Sequence, residues 1–307
     1  MRFMTSLPGT TRYPPMEDDW RASLRPEDFQ LMARTADELG FDSIAFSEHV
    51  VVPDAMAQFM GSFWPHAMTA MAFAAGATSR IVVDSSIMVL PYHNPLVLAK
   101  AVSTLDLLSG GRVRISVGVG HAEAEFEALG VPFHERGRLA DEYLDVMIEL
   151  WTNPEPEFHG RYVEFKDMAF APRPVQTPHP PIWIGGNSEA AMRRAARHDG
   201  WFPWMVTAEQ LPERLEFIRS LPEFESRTRP FDVQMPATIS HGERGSSVSD
   251  RGGQLASTGA QAVIDAISEL QQIGVTWTSS PMPPATSLQS HLEGLHWFAE
   301  EVMPAFR

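Results

Sequence analysis

Three short stretches place side chains that can bind a ligand or move a proton next to strand ends or glycines. In "FSEHV", residues 46–50, Glu48 and His49 are adjacent; in "VGVGHAEAE", residues 117–125, Gly118 and Gly120 precede His121, Glu123 and Glu125; in "WIGGNS", residues 183–188, Gly185 and Gly186 precede Asn187 and Ser188. Histidine titrates near neutral pH, so His49 reads as a general base, as a hydrogen-bond donor to a bound ring, or as a packed histidine. Gly118 and Gly120 would begin a dinucleotide fingerprint only with a third glycine at 123, where the chain has Glu123, so the fingerprint is incomplete. Glu123, Glu125 and Glu127 read as the solvated side of a helix. Gly185-Gly186 with Asn187 or Ser188 as a cap gives a helix start whose free N–H groups can hold a phosphate, each exposed charge gaining about 0.3–1 kcal/mol. The same pattern also describes an ordinary capped helix.

Other chemistries are disfavoured. The chain has no cysteine, which removes disulfides, thiolate catalysis and cysteine-ligated metals. No H-E-x-x-H set occurs, so no metal is expected, and neither a G-x-S-x-G elbow nor a P-loop is present. The net charge of −15, from 24 basic and 39 acidic residues, argues against nucleic-acid or anionic-membrane partners. The N-terminal apolar run is too short for a signal peptide and no stretch reaches transmembrane length, so the expected location is the cytoplasm.

The elements that would position these residues alternate along the chain. Strands are predicted at 2–7, 43–46, 81–90, 112–119, 181–186, 201–205, 231–239 and 275–279. Helices are predicted at 26–39, 63–77, 95–108, 138–151, 188–198, 209–220, 260–273 and 287–303. The proline-rich segment 152–181, with a possible hairpin at Gly160, reads as an insertion, and the polar segment 240–253 as a mobile loop. Eight βα units within 307 residues, 44% of them hydrophobic, predict one α/β domain over 1–307, a (β/α)8 TIM-type barrel with insertions in its βα loops. In such a barrel the chemistry gathers at the C-terminal ends of the strands, where all three stretches fall.

"ARTADELGFDSIAFSEHV", "SSIMVLPYHNPLVLAKAVSTLDLLSGGRVRISVGVG", "EFEALGVPFHERG" and "PRPVQTPHPPIWIGGNSEAAMRRAARHDGW" together resemble the bacterial-luciferase-like oxidoreductases. The resemblance covers most of residues 1–205 and looks most toward the branch that uses coenzyme F420. It implies a flavin or deazaflavin across the barrel mouth, with a strand-three bulge at Ser85-Ser86-Ile87 behind the ring and a cis non-proline peptide there. By the same resemblance Glu48 and His49 lie near the ring's polar edge, Gly118 and Gly120 let strand four approach it, and Gly185, Gly186, Asn187 and Ser188 take its phosphate. His49 and His121 are then the candidate proton-transferring residues. His121 stands where many relatives carry Trp or Glu, and Ala124 stands where a sugar-phosphate dehydrogenase branch has Asn, so that substrate is disfavoured. The implied activity is F420-dependent hydride transfer to or from a small organic substrate. FMN is the alternative cofactor, in a monooxygenase fed by a separate reductase, with Arg136 and Arg138 as phosphate candidates. A flavin-binding barrel without turnover is a further alternative. The resemblance also implies a homo-oligomer and a flavin or F420 reductase as partner.

Overall fold

The computed structural model describes residues 1–12, 19–237 and 248–307. Its strands, in chain order, are β1 (Arg2–Thr5), β2 (Ser43–Phe46), β3 (Val82–Val89), β4 (Val113–Gly118), β5 (Phe158–His159), β6 (Glu164–Phe165), β7 (Ile182–Gly185), β8 (Gly200–Phe202), β9 (Asp232–Val233) and β10 (Trp277–Ser279). Eight of them form a parallel, nearly closed barrel in the order β10-β1-β2-β3-β4-β7-β8-β9. The circle is completed by a parallel bridge between Gln234 and Trp277. Beside that bridge the Met235 N–H donates to the Trp277 carbonyl at 3.1 Å and the Thr276 N–H to the Val233 carbonyl at 2.9 Å. The (β/α)8 architecture expected from the alternation is therefore present. Strands β5 and β6 form the antiparallel hairpin around Gly160.

The helices are α1 (Asp19–Ala22), α2 (Pro26–Leu39), α3 (Asp54–Met60), α4 (Ala67–Ala77), α5 (Pro95–Ser109), α6 (Glu123–Ala128), α7 (Arg136–Thr152), α8 (Glu189–Ala196), α9 (Leu211–Arg219), α10 (Pro222–Glu225), α11 (Val248–Ser257), α12 (Ala260–Gln272) and α13 (Leu288–Trp297). Local chemistry sets many of their ends. Helix α5 begins where Asn94 accepts from the Leu96 and Val97 N–H groups, and it stops at Gly110, whose φ of 71° is left-handed. Helix α4 starts at Ala67 rather than 63, because His66 caps it by accepting from the Thr69 N–H at 3.3 Å.

The later strands are shorter than the sequence predicts. β8 ends at Phe202, because Trp204 and Met205 turn into solvent at 59% and 67% exposure. The part of the 240–253 loop over residues 240–247 lies outside the described residues, whereas 248–253 is the start of α11, which corrects the loop reading there. Among the described residues no helix is long and apolar enough to cross a membrane.

Strand residues that face the helices are aliphatic. Val83, Ile115, Ile182 and Ile184 join Met32, Leu98, Leu144 and Met147 in one buried cluster, which also holds Met68 and Met71. The interior of the barrel is polar by contrast. Arg114 of β4 pairs with Asp84 of β3 at 2.7 Å. Its guanidinium lies 3.6 Å from the centroid of Trp183 and 4.0 Å from that of Trp277. Because β4, β7 and β10 are not all neighbours, these side chains meet across the barrel axis. Burial raises the Asp84 carboxyl above its ordinary range against the pull of Arg114. Two aromatic faces and an ion pair thus fill the barrel, and the C-terminal mouth is left to the loops.

Candidate active site

The segment leaving β2 is fastened to both flanks of an irregularity in β3. The register between β3 and β4 shifts between Ser86 and Met88, so a bulge lies where the family resemblance implies one. The Ser86–Ile87 peptide is cis. On one side of the bulge the Ser47 hydroxyl donates to the Ser86 carbonyl at 2.9 Å. On the other, Glu48 accepts from the Val89 N–H at 2.8 Å. Ser85 is fully buried and exchanges hydrogen bonds with the Ser116 backbone, both at 3.0 Å, which locks β3 to β4 just before the bulge.

Glu48 is itself 3% exposed, and its second partner is His93, with Nε2 at 2.9 Å. Its carboxylate is thereby engaged by the protein. His66 lies beside this pair, and one atom from each of Glu48, His66 and His93 falls within 4.8 Å of the others. His66 Nδ1 is occupied at the start of α4.

The glycines around the bulge have one neighbour in common. A β-carbon added at Gly118 would come within 3.3 Å of Ile87, and one added at Gly185 would collide with the tip of the same side chain. Gly118 of β4 and Gly185 of β7 therefore clear the space that Ile87 occupies. Gly120, at φ 78°, gives way instead to Val89 and Phe126.

His49 points to the other side, toward α6. Its Nδ1 lies 2.8 Å from Glu125 Oε2, and its side chain is 9% exposed. Glu125 Oε1 also accepts from the Val50 N–H at 2.6 Å and the Val51 N–H at 3.2 Å. Burial alone would raise the Glu125 carboxyl, but these donors outweigh it and hold the pKa below the ordinary value. The Tyr92 phenol is pushed upward by burial and by Glu125 and Glu48. The His49 ring packs edge-on against Trp64, centroids 4.8 Å apart, and lies perpendicular to His121 at 6.0 Å. The ring of His121 is exposed, and desolvation followed by the neighbouring His49 lowers its pKa.

Glu125 corrects the reading of a solvated acidic face, since Glu123 and Glu127 are exposed but Glu125 is 1% exposed. The signal was present in the sequence. Ala122 and Phe126 are apolar and one turn apart, and Glu125 falls on their side of the helix.

At the end of β7 the cap is Ser188, whose hydroxyl accepts from the Ala191 N–H at 3.2 Å. Asn187 instead donates to the Trp204 carbonyl, and its own carbonyl accepts from Arg214 at 3.1 Å. Gly186 has φ 118°, and an added β-carbon would lie 3.2 Å from that of Ala191. Arg193 pairs with Glu189, and Arg194 with Asp141, so neither is directed to this helix start. Arg136 lies over Phe133 and donates to its carbonyl. Asp141 and Glu142, one turn along α7, are engaged elsewhere, Asp141 by Arg194 and Arg197 and Glu142 by backbone N–H groups of the hairpin segment.

A separate cleft bordered by Arg197, His198, Asp199, Arg227 and Arg229 lies near the N-terminal end of β8, away from the mouth. Its cations have structural partners: Arg229 holds Asp199, Arg197 holds Asp141, and Arg227 donates to the Arg229 and Pro230 carbonyls.

The family described as luciferase-like monooxygenase matches residues 1–276. An FMNH2-dependent dimethylsulfone monooxygenase of Pseudomonas putida is 36% identical over 129 residues, covering 41% of this chain and 35% of that protein. Among solved structures, the monooxygenase RslO1 of Streptomyces bottropensis superposes with a TM-score of 0.78 at 22% identity, covering all of both chains. The coenzyme F420 dependent tetrahydromethanopterin reductase of Methanopyrus kandleri gives 0.72 at 20% identity, covering 100% of this chain and 99% of that one.

Proposed function

Because the chain belongs to the luciferase-like monooxygenase family, we propose that it is an F420-dependent oxidoreductase acting on a small organic substrate at the C-terminal mouth of the barrel. The observation that carries this reading is the β3 bulge, which presents Ile87 against Gly118 and Gly185. Ile87 supplies an apolar surface on which a planar ring can rest, and it is partly open to the mouth. When bound there, the deazaflavin supplies or takes a hydride. The protein's own part is to fix that ring against Ile87, to exclude water and to move the accompanying proton at His49 or His121. The residues at the end of β7 fit a phosphate: Gly186 keeps the approach to α8 open, the helix start offers N–H donors, and Arg214 brings a cation to Asn187. Supply of reduced cofactor by a separate reductase, a homo-oligomeric state and a cytoplasmic location belong to the same proposal.

A second reading, an FMN-dependent monooxygenase, is favoured by the 36% identity to the dimethylsulfone enzyme. Parallel fluorescence titrations decide between the two. F420 is expected to bind with a Kd of about 1 µM or tighter, near −8 kcal/mol, and FMN at least ten-fold more weakly. Equal or tighter FMN binding selects the second reading. Absence of binding by either cofactor rejects both.

A further inference from the structure

We propose that Glu125 is a positioning residue that makes His49, rather than His121, the group carrying the proton at the barrel mouth. The inference rests on reading the mouth as a redox site.

Glu125 is buried on α6, and three donors from the segment after β2 converge on it: His49 Nδ1 at 2.8 Å, the Val50 N–H at 2.6 Å and the Val51 N–H at 3.2 Å. Two backbone N–H groups have fixed positions, so they hold the carboxylate in place independently of the imidazole. An ionised carboxylate can only accept, so the His49 nitrogen facing it must carry the hydrogen. Nδ1 is then the protonated nitrogen of the neutral ring, and Nε2 carries the lone pair. When Nε2 accepts a proton, the ring passes from neutral to a single positive charge, and the Glu125 carboxylate balances that charge without moving. The edge-on contact with Trp64 at 4.8 Å restrains the ring in that orientation.

His121 has a different setting. Its ring is perpendicular to His49 at 6.0 Å, and it feels Glu125 only as a more distant charge. Its pKa is lowered by desolvation and by His49, so a proton on His49 opposes one on His121. The other ionisable groups near His49 are Tyr92, kept as the neutral phenol, and Glu48, which His93 engages. Of the two histidines that face each other, His49 is the one with a fixed carboxylate behind it and a second nitrogen left to accept.

The test reads the ring nitrogens directly. Long-range proton–nitrogen NMR on the cofactor-free protein labelled with 15N-histidine, near pH 7.5, is expected to show His49 with the hydrogen on Nδ1 as the dominant neutral form. The His49→Asn variant assigns the resonances. In Glu125→Gln that form is expected to fall at least five-fold relative to the Nε2-protonated one, while Glu125→Asp, which retains the charge, restores most of it. A wild-type spectrum dominated by hydrogen on Nε2 overturns the proposal, as does an unchanged ratio in a folded Glu125→Gln protein. If Glu125→Gln does not fold, the wild-type spectrum alone decides. No cofactor takes part, so the result stands or falls separately from the titrations with F420 and FMN.

Discussion

The side-chain tip of Ile87 occupies the space that a β-carbon on Gly185 would need. Two strands that are not neighbours, β3 and β7, are therefore fitted to each other across the end of β4, whose Gly118 makes room for the same residue. Space at one position and bulk at another are parts of a single arrangement.

Gly185→Ala tests that fit. The new methyl meets Ile87 Cδ1 first, so the variant is expected to lose about 1–3 kcal/mol in urea unfolding. Adding Ile87→Val removes Cδ1 and should bring the double variant within about 1 kcal/mol of Ile87→Val alone. Penalties that simply add would show that the two residues do not compete for one space.

Glu48 is expected to act on the bulge rather than on the cofactor. Glu48→Gln keeps an oxygen for the Val89 N–H, whereas Glu48→Ala leaves that buried donor unpaired, at a cost of about 1–3 kcal/mol. Thermal unfolding should therefore separate the two variants clearly. A Gln variant of full stability with sharply weakened cofactor binding would instead place Glu48 in direct contact with the ligand.

His49→Ala is expected to fold, because the Val50 and Val51 N–H groups still hold Glu125. Loss of the group that carries the proton should slow the single-turnover rate of the cofactor-saturated protein by about a hundred-fold, at the lower end of general acid–base catalysis. A wild-type rate in this variant would reduce His49 to a packing residue.

Acid should destabilise the fold partly through His291. Burial, followed by Arg21, lowers its pKa from 6.5 to about 4. The folded state favours the neutral ring, so this contribution is complete above pH 6.5 and is lost as the pH falls toward 4, where the folded ring also takes up its proton. At 1.36 kcal/mol per pH unit the loss is about 3 kcal/mol. Urea titrations at a series of pH values should show a shallower decline over that window in His291→Gln. An identical decline in both proteins would assign the acid sensitivity elsewhere.

Most of the barrel is legible locally. The period-two pattern and terminal glycines of β4, and the Asn94 and Gly110 signals around α5, depend on nearby residues. The same holds for Gly118 and Gly185 as places without a side chain, although the sequence does not say what fills the space; Ile87 does. Glu125 was hidden for the opposite reason. Ala122 and Phe126 tell which side of the helix it lies on, but its partners lie 74 to 76 residues away in the chain, beyond the reach of any spacing rule. Glu48 shows the same limit, since adjacency to His49 suggests a shared task while the fold sends the two side chains to different partners. The short β8 and β9 lie where Pro203 and Pro236 interrupt the pattern, which the sequence reading extended through both.

The closing strand also orders events at the ribosome. β10 joins β1, the first barrel strand in chain order, to β9, and it spans Trp277–Ser279. Until that segment leaves the exit tunnel, β1 and β9 each carry an open parallel edge, so the nascent chain passes through a stage in which it can pair with another chain. Sealing of the ring then waits on Trp277–Ser279, and the vulnerable interval ends only when that segment is clear of the tunnel.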